Sequence, residues 1–378
     1  MKGLWYIFVI LTLKLAIILL IMFKKILSVL TLVFVVVLAY QIFSQPVMLD
    51  GQEITMFQAT LEAMKELNLW VLLLLIPEQA AMYYSAAQIY FAFLKERRKM
   101  HLSKLKLTRI ALEINFVNHT MPSCGMSGLA YLAWRLRDLK ISAGQVSFIH
   151  ALRYAICAIM NTIQTFIAII IVLIVGCVPK ENYWYLWLAG LLAFGVQVLI
   201  VAGLIIVRKQ KNVDWVMLKI KKLAGLWTKK FKKSRFNPDF AERFFADMRQ
   251  DYLALRRNKR MLWRPALWGL VFSFLELATY WVVGIAMGHP GMLPQIMIAE
   301  GVASVVGTVM ITPGGVGGYE GAFIAVLAAT GVDLSVATVV VVTTRIVIFF
   351  GTIASGMGFY QQALLSRDDK FSMEKKSE

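Results

Sequence analysis

The sequence predicts an all-α polytopic membrane protein, an inverted repeat of about six full spans plus two re-entrant broken hairpins. Three observations predict it. Hydrophobic residues make up 59% of the 378 residues and charged residues 16%, where soluble domains run at about half and about a quarter. Several apolar runs, among them 26–43, 146–175, 183–207 and 334–359, reach the roughly 20 residues that a bilayer core requires. Lysine and arginine are gathered in some of the intervening loops and scarce in the others, the bias that marks cytoplasmic segments.

The elements follow in order. Residues 1–25 are an N-terminal apolar extension, interrupted by Lys14 and separated from the next run only by Phe23, Lys24 and Lys25. Two antiparallel helices rarely turn in so few residues. The extension is read as an upstream segment or a peripheral helix rather than a further span, and it has no signal-peptide cleavage pattern. Basic residues cluster at 95–109, 135–140 and 208–260, the last with 17 bases against five acids. With these on the cytoplasmic side, 26–43 leads out and 69–94 returns.

The stretch 107–134 then has basic residues at both ends and cannot simply cross. It carries Pro122, Gly125 and Gly128 at its middle, residues that break a helix. Its first arm, 107–117, is about 16 Å long, half a bilayer core. It is therefore read as a re-entrant hairpin. The chain continues out through 146–175 and back through 183–207. The basic loop 208–261 follows, then 265–287 leads out. The stretch 293–331, broken at Pro313-Gly314-Gly315-Val316-Gly317-Gly318, must enter and leave on the outer side if 334–364 is to end in a cytoplasmic tail, 365–378. The first repeat is 26–177 with hairpin 107–134. The second is 183–207 plus 262–364 with hairpin 293–331. An odd number of crossings separates them, so they are inverted in the membrane.

A helix break in hydrocarbon persists only when buried in protein or lining a wet cavity. Free N–H groups at a half-helix start can hold an anion. The ionisable residues inside apolar segments are Glu78, Glu113, Arg153, Glu276, Glu300, Glu320 and Arg345, and intramembrane charge by default marks function. Glu320 and Arg345 are placed to pair, or Arg345 to face an anionic head group; Arg153, one turn inside its span, is placed to snorkel. Within the basic loop, apolar residues at helical spacing from Val213 to Phe231 suit a helix lying on the inner leaflet. Asn237-Pro238 reads as the start of a second helix over 238–255.

The formal charge of 40 − 22 = +18 lies between the spans, so anionic lipid head groups are the expected partner and nucleic acid is not. Cys124, Cys157 and Cys177 have no CxxC spacing, and the four histidines are scattered singly, so no metal, no cofactor and no catalytic residue is assigned. The glycine-rich segment lacks the lysine of a phosphate-binding loop.

Asn118-His-Thr-Met-Pro-Ser-Cys-Gly-Met-Ser-Gly and Thr312-Pro-Gly-Gly-Val-Gly-Gly-Tyr-Glu, with Arg345 downstream, resemble the flippase-like family, the transmembrane region of lysylphosphatidylglycerol synthases. The resemblance covers about 26–364. It implies substrate-binding roles for Asn118, Pro122, Gly125 and Gly128 in the first hairpin. In the second it implies them for Pro313, Gly314, Gly315, Gly317 and Glu320, with Arg345 beyond. Family members often carry a glutamate and an arginine soon after the first proline; here the nearest following arginine is Arg135. The better-known relatives add a soluble aminoacyltransferase domain, and the expectation here is the membrane region without it.

The expected function is a flippase in the cell (plasma or inner) membrane, with the basic loop and C-terminus cytoplasmic. It would move an anionic or glycosylated lipid, or a polyprenyl-phosphate-type carrier, between leaflets. A homo-oligomer and a separate lipid-modifying enzyme are compatible further partners. The alternatives are a membrane-embedded enzyme acting on a lipid head group, and a scaffold recruiting a partner through the basic loop.

Overall fold

In a computed structural model, the described residues are 44, 46–49, 52–98, 103–121, 126–176, 178–209, 211–215, 218–219, 238–310 and 312–377. The expected span 26–43, the extension 1–25 and most of the leaflet helix expected near 213–231 lie outside them. The chain forms two units, 1–62 and 63–378. The described part of the first holds a short antiparallel hairpin, β1 (Pro46–Leu49) with β2 (Gln52–Thr55), pairing Pro46 with Thr55. The sequence between the strands is Asp50-Gly51, a strong hairpin signal. This small ribbon falls in a stretch expected to be plain loop. Helix α1, Met56–Lys65, follows.

The second unit is helical. Its elements are α2 (Leu75–Arg98), α3 (Lys104–Thr120), α4 (Met126–Leu136), α5 (Ala143–Val175), α6 (Tyr183–Arg208), α7 (Pro238–Arg257), α8 (Trp263–Ala286), α9 (Leu293–Val309), α10 (Gly318–Ala329) and α11 (Leu334–Ser377). The boundaries have local causes. Ser103 caps α3 by accepting from Lys106 N, and Ser142 with Gln145 forms a capping box at α5. Gly176, in the left-handed region at φ 69°, ends α5.

Among the described residues, six segments are long and apolar enough to cross a membrane: Leu69–Arg98, Ala143–Val175, Lys180–Arg208, Lys259–Ala286, Pro290–Val309 and Leu334–Leu365. Five match expected spans. The sixth, Pro290–Val309, falls where the sequence places the first arm of the second hairpin. Its chain breaks after Val309, and α10 packs back along it.

Each broken hairpin sits in its own hydrophobic cluster. Around α3 and α4, Phe91 and Phe93 of α2 pack with Ile114, Val117, Leu132, Leu136, Val146 and Ile149. Around α9 and α10, Ile296, Ile298, Ala299 and Ala303 pack with Phe323, Leu327, Val283, Val172 and Val339–Val341. Helix α11 crosses close to α3. A Cβ added at Gly356 would fall 2.6 Å from Phe116 Cβ and 2.8 Å from Leu112 O. Helix α6 is different: only Leu186, Ala189 and Ala193 are buried, and much of its apolar surface is exposed, as on a helix bathed in lipid.

The amphipathic α7 docks on α5 and α6. Gly144 makes this possible, because a Cβ there would fall 2.2 Å from the Phe244 carbonyl oxygen. Arg97 of α2 donates from Nε to Asp251 Oδ1 at 3.1 Å. Burial pushes the Asp251 carboxyl above the usual range, and the Arg97 guanidinium pulls it partly back.

Candidate functional site

The second break is a wired turn. Helix α9 stops at Val309, and Gly314 (φ 60°), Gly315 (φ 74°) and Gly317 (φ 93°) take backbone angles that side chains resist. Pro313 opens the short turn Pro313–Gly315. Gly315 N donates to Thr312 O at 3.1 Å. Glu320, in the first turn of α10, accepts the Gly317 N–H at 2.7 Å on one oxygen and Arg345 Nε on the other. Arg345 also donates from Nη2 to Gly314 O at 2.7 Å, and its guanidinium lies 4.7 Å from the Tyr319 ring centre. Arg345 therefore ties the glycine turn to α11, and three partners occupy its cationic head. Tyr280 on α8 extends the array by donating to the Tyr319 hydroxyl at 3.2 Å.

The first break is approached from α3. Asn118 Oδ1 accepts Gly128 N–H at 2.9 Å, across the break. A Cβ at Gly128 would fall 2.3 Å from that oxygen, so glycine here allows close approach of the arms. Pro122 and Gly125 lie outside the described residues. Further down, Glu113 is fully buried and joins the two arms: Arg135 forks onto it (Nε to Oε2 2.6 Å, Nη2 to Oε1 3.1 Å). Tyr131 and Arg109 add bonds at 3.0 and 3.1 Å.

The two breaks meet. A Cβ at Gly314 would fall 3.2 Å from His119 Cδ2, so the end of α3 touches the glycine turn of the opposite hairpin. Beside this junction lies a cavity of about 1330 Å³. Asn115, Asn118, His119, Gly314, Gly315 and Arg345 form its polar end. Along it, α6 contributes an apolar wall that includes Leu199, Ile200 and Leu204, while Phe245, Met248 and Tyr252 of α7 line the end that carries Arg256 and Lys259.

Of the residues expected to bind substrate, Asn118, Gly314, Gly315 and Arg345 line this cavity; Gly128, Gly317 and Glu320 do not line it, and act on its framework. Three residues that the sequence reading singled out as charges inside apolar runs, but did not assign to substrate, line it as well: Arg153, Glu276 and Glu300. Arg153 does not snorkel. Its guanidinium turns inward over Tyr90 (4.9 Å), Tyr154 (5.5 Å) and Phe272 (5.5 Å). Glu276 is within electrostatic reach of both Arg153 and Arg345, and Glu300 of Glu276. Glu78 lies apart, bonded to Gln79 and to Thr279 on α8.

Both broken hairpins lie within the stretch that a family comparison matches. The lysylphosphatidylglycerol synthase TM region matches residues 28–356. The chain belongs to this family. No curated protein and no solved structure matches it. In this lysylphosphatidylglycerol synthase TM region, the matched residues include both breaks, Arg345 and the whole charged lining of the cavity.

Proposed function

We propose that this protein moves an anionic or glycosylated lipid, or a polyprenyl-phosphate-type carrier, between membrane leaflets, and that it does so without chemistry on the lipid. The observation that carries this reading is the cavity. Its volume of about 1330 Å³ exceeds the range of roughly 300–1,000 Å³ usual for small-molecule sites. Its apolar walls suit acyl chains, and its polar end, at the junction of the two broken hairpins, suits a head group. Helix α6, almost unburied, is the wall through which lipid tails communicate with the bilayer. The basic α7 end faces the cytoplasm, by the charge bias of the loop that carries it.

The test is a leaflet-exchange assay in proteoliposomes with fluorescent phosphatidylglycerol and a membrane-impermeant quencher. Exchange is expected from the wild-type protein. Gly203, which lines the cavity and has open space beside it, is the position to fill: Gly203→Trp should slow exchange and leave the thermal melt unchanged. Quenching confined to the outer leaflet with the wild-type protein would overturn the proposal. A chemically altered lipid, seen by mass spectrometry, would favour the embedded enzyme.

A further inference from the structure

The two arginines in the cavity are not equivalent. Arg345 is engaged by Glu320, the Gly314 carbonyl and the Tyr319 ring. Arg153 makes no ion pair among the described residues, and its Nε is buried without a hydrogen-bond partner. Guanidinium groups carry five donors in a fixed fork that fits phosphate. A buried donor left unused is costly, and Arg153 lines the cavity, so a ligand there can complete its hydrogen bonding.

Helix α8 acts as a ruler for the cavity. Phe272, Glu276 and Tyr280 recur every four residues and lie on one face. Arg153 stacks at Phe272, and Tyr280 stands at the level of Tyr319 and Arg345. At 1.5 Å per residue the two levels are about 12 Å apart, and Glu276 sits between them, in electrostatic reach of both arginines. At the other end of the cavity are Arg256 and Lys259. Cationic groups thus stand at three stations: the α7 mouth, Arg153 midway, and Arg345 at the hairpin junction.

We infer that Arg153 is the phosphate-binding station of the cavity and that Glu276 is its resident counter-charge, displaced in effect when a phosphate docks. This rests on the lipid-movement reading and assigns the head-group contact to Arg153, leaving Arg345 a structural tie. The three aromatic rings fix the guanidinium plane by cation–π contact. A phosphate would approach the guanidinium from the cavity that Arg153 lines. Glu276, which lines the same cavity, opposes that phosphate by like charge and balances the Arg153 charge when no ligand is present.

The chemistry recognised is a phosphate oxyanion, carried by a lipid or free in solution. The experiment is isothermal titration of the detergent-purified full chain with dihexanoyl-phosphatidic acid, with inorganic phosphate, and with dihexanoylglycerol as the uncharged control. The wild type should bind the phosphatidic acid, and the uncharged lipid much more weakly. Arg153→Gln should weaken phosphatidic acid binding by at least about tenfold. Arg153→Lys, which keeps the charge and loses the fork, should fall in between. Glu276→Gln should strengthen binding severalfold, a gain that a merely structural role would not give. Melting temperatures of the variants identify any that fail to fold. Binding by folded Arg153→Gln equal to wild type overturns the inference, as does weaker binding in folded Glu276→Gln. Inorganic phosphate bound as tightly as the phosphatidic acid would overturn the lipid source. If wild-type vesicles exchange lipid and Arg153→Gln vesicles exchange it equally, the inference fails and the lipid-movement reading stands. If titration gives the Arg153 pattern and vesicles exchange nothing, the reverse holds.

Discussion

The two broken hairpins solve the same problem at different places. The first, α3 with α4, is fastened away from its break: Glu113 on one arm takes Arg135 from the other, with Arg109 and Tyr131 completing its shell. At its break the bonds are uncharged: Asn118 Oδ1 accepts from Gly128 N–H, and Ser127 Oγ donates to the Val117 carbonyl at 3.4 Å. The second, α9 with α10, is fastened at the break itself, where Glu320 caps Gly317 and holds Arg345, which in turn holds Gly314. Charge at the tip of the second hairpin therefore fixes backbone, and charge in the first fixes the spacing of its arms. The difference teaches that an intramembrane Glu–Arg pair is not by itself a substrate contact. In both hairpins the pair binds chain to chain, and among the described residues the cavity-lining arginine inside a span that is outside any such pair is Arg153.

The largest expected effect tests the first fastening. Glu113→Ala leaves Arg109, Arg135 and Tyr131 without their common acceptor, and removing one partner of a buried pair costs about 3–5 kcal/mol. Denaturant or SDS titration of the purified protein should show the greatest loss of stability of any single change discussed here. A loss smaller than that of Glu320→Ala would break the comparison.

The second fastening comes next. Glu320→Ala removes the acceptor of Gly317 N–H and of Arg345, and a charged hydrogen bond is worth about 1.5–3 kcal/mol. The pair Glu320→Ala with Arg345→Ala should lose less than the sum of the single variants, since neighbours in one network couple by about 0.5–3 kcal/mol. Additive losses in the same titration would mean that the two act separately.

A smaller effect separates the two kinds of glycine. Gly315→Ala must hold φ 74° and meets the Gly307 backbone at 3.2 Å; the left-handed angle alone costs about 1–2 kcal/mol. Gly128→Ala collides instead with the Asn118 side chain. Adding Asn118→Ala should therefore recover stability at Gly128, while nothing comparable rescues Gly315. Failure of Asn118→Ala to relieve Gly128→Ala would show that the first break is as rigid as the second.

The smallest effect lies at the open end of the second hairpin. Asp333 caps α11, accepting from Ser335 N at 2.8 Å, from the Ser335 hydroxyl and from Val336 N at 3.4 Å. Partial burial raises its carboxyl, but these bonds, with His289 nearby, outweigh that and hold it below the ordinary range. A depressed carboxyl contributes stability that is present above its unfolded-state value and lost as pH falls through its folded value. Asp333→Ala should cost about 1 kcal/mol at neutral pH, and the gap from wild type should close in strong acid. An unchanged gap there would mean that the cap works without its charge.

Much of the architecture is legible in the sequence. Apolar runs of bilayer length, charge at loop ends and helix-breaking residues in the middle of two runs were enough for α2, α5, α6, α8, α11 and both hairpins. The helix over 238–255 was legible from its proline and its apolar spacing, and α7 occupies that stretch. The site was half legible. Asn118, Gly314, Gly315 and Arg345 reach the cavity, and Glu320 pairs with Arg345, but Gly128 and Gly317 work on the frame.

The sequence by itself determined the fold class, because hydrophobic length and charge bias are local properties that a bilayer reads one segment at a time. It also determined where the helices break, because proline and glycine act on their own backbone. Only the tertiary structure decided which charges are occupied and which are available. Glu113 meets Arg135 from 22 positions away and Glu320 meets Arg345 from 25, while Arg153 is left among aromatic rings. That distribution depends on helix rotation and on the packing of α3, α8 and α11 around one cavity. No linear spacing encodes it, because a buried charge takes whichever partner the whole bundle brings within a few ångströms.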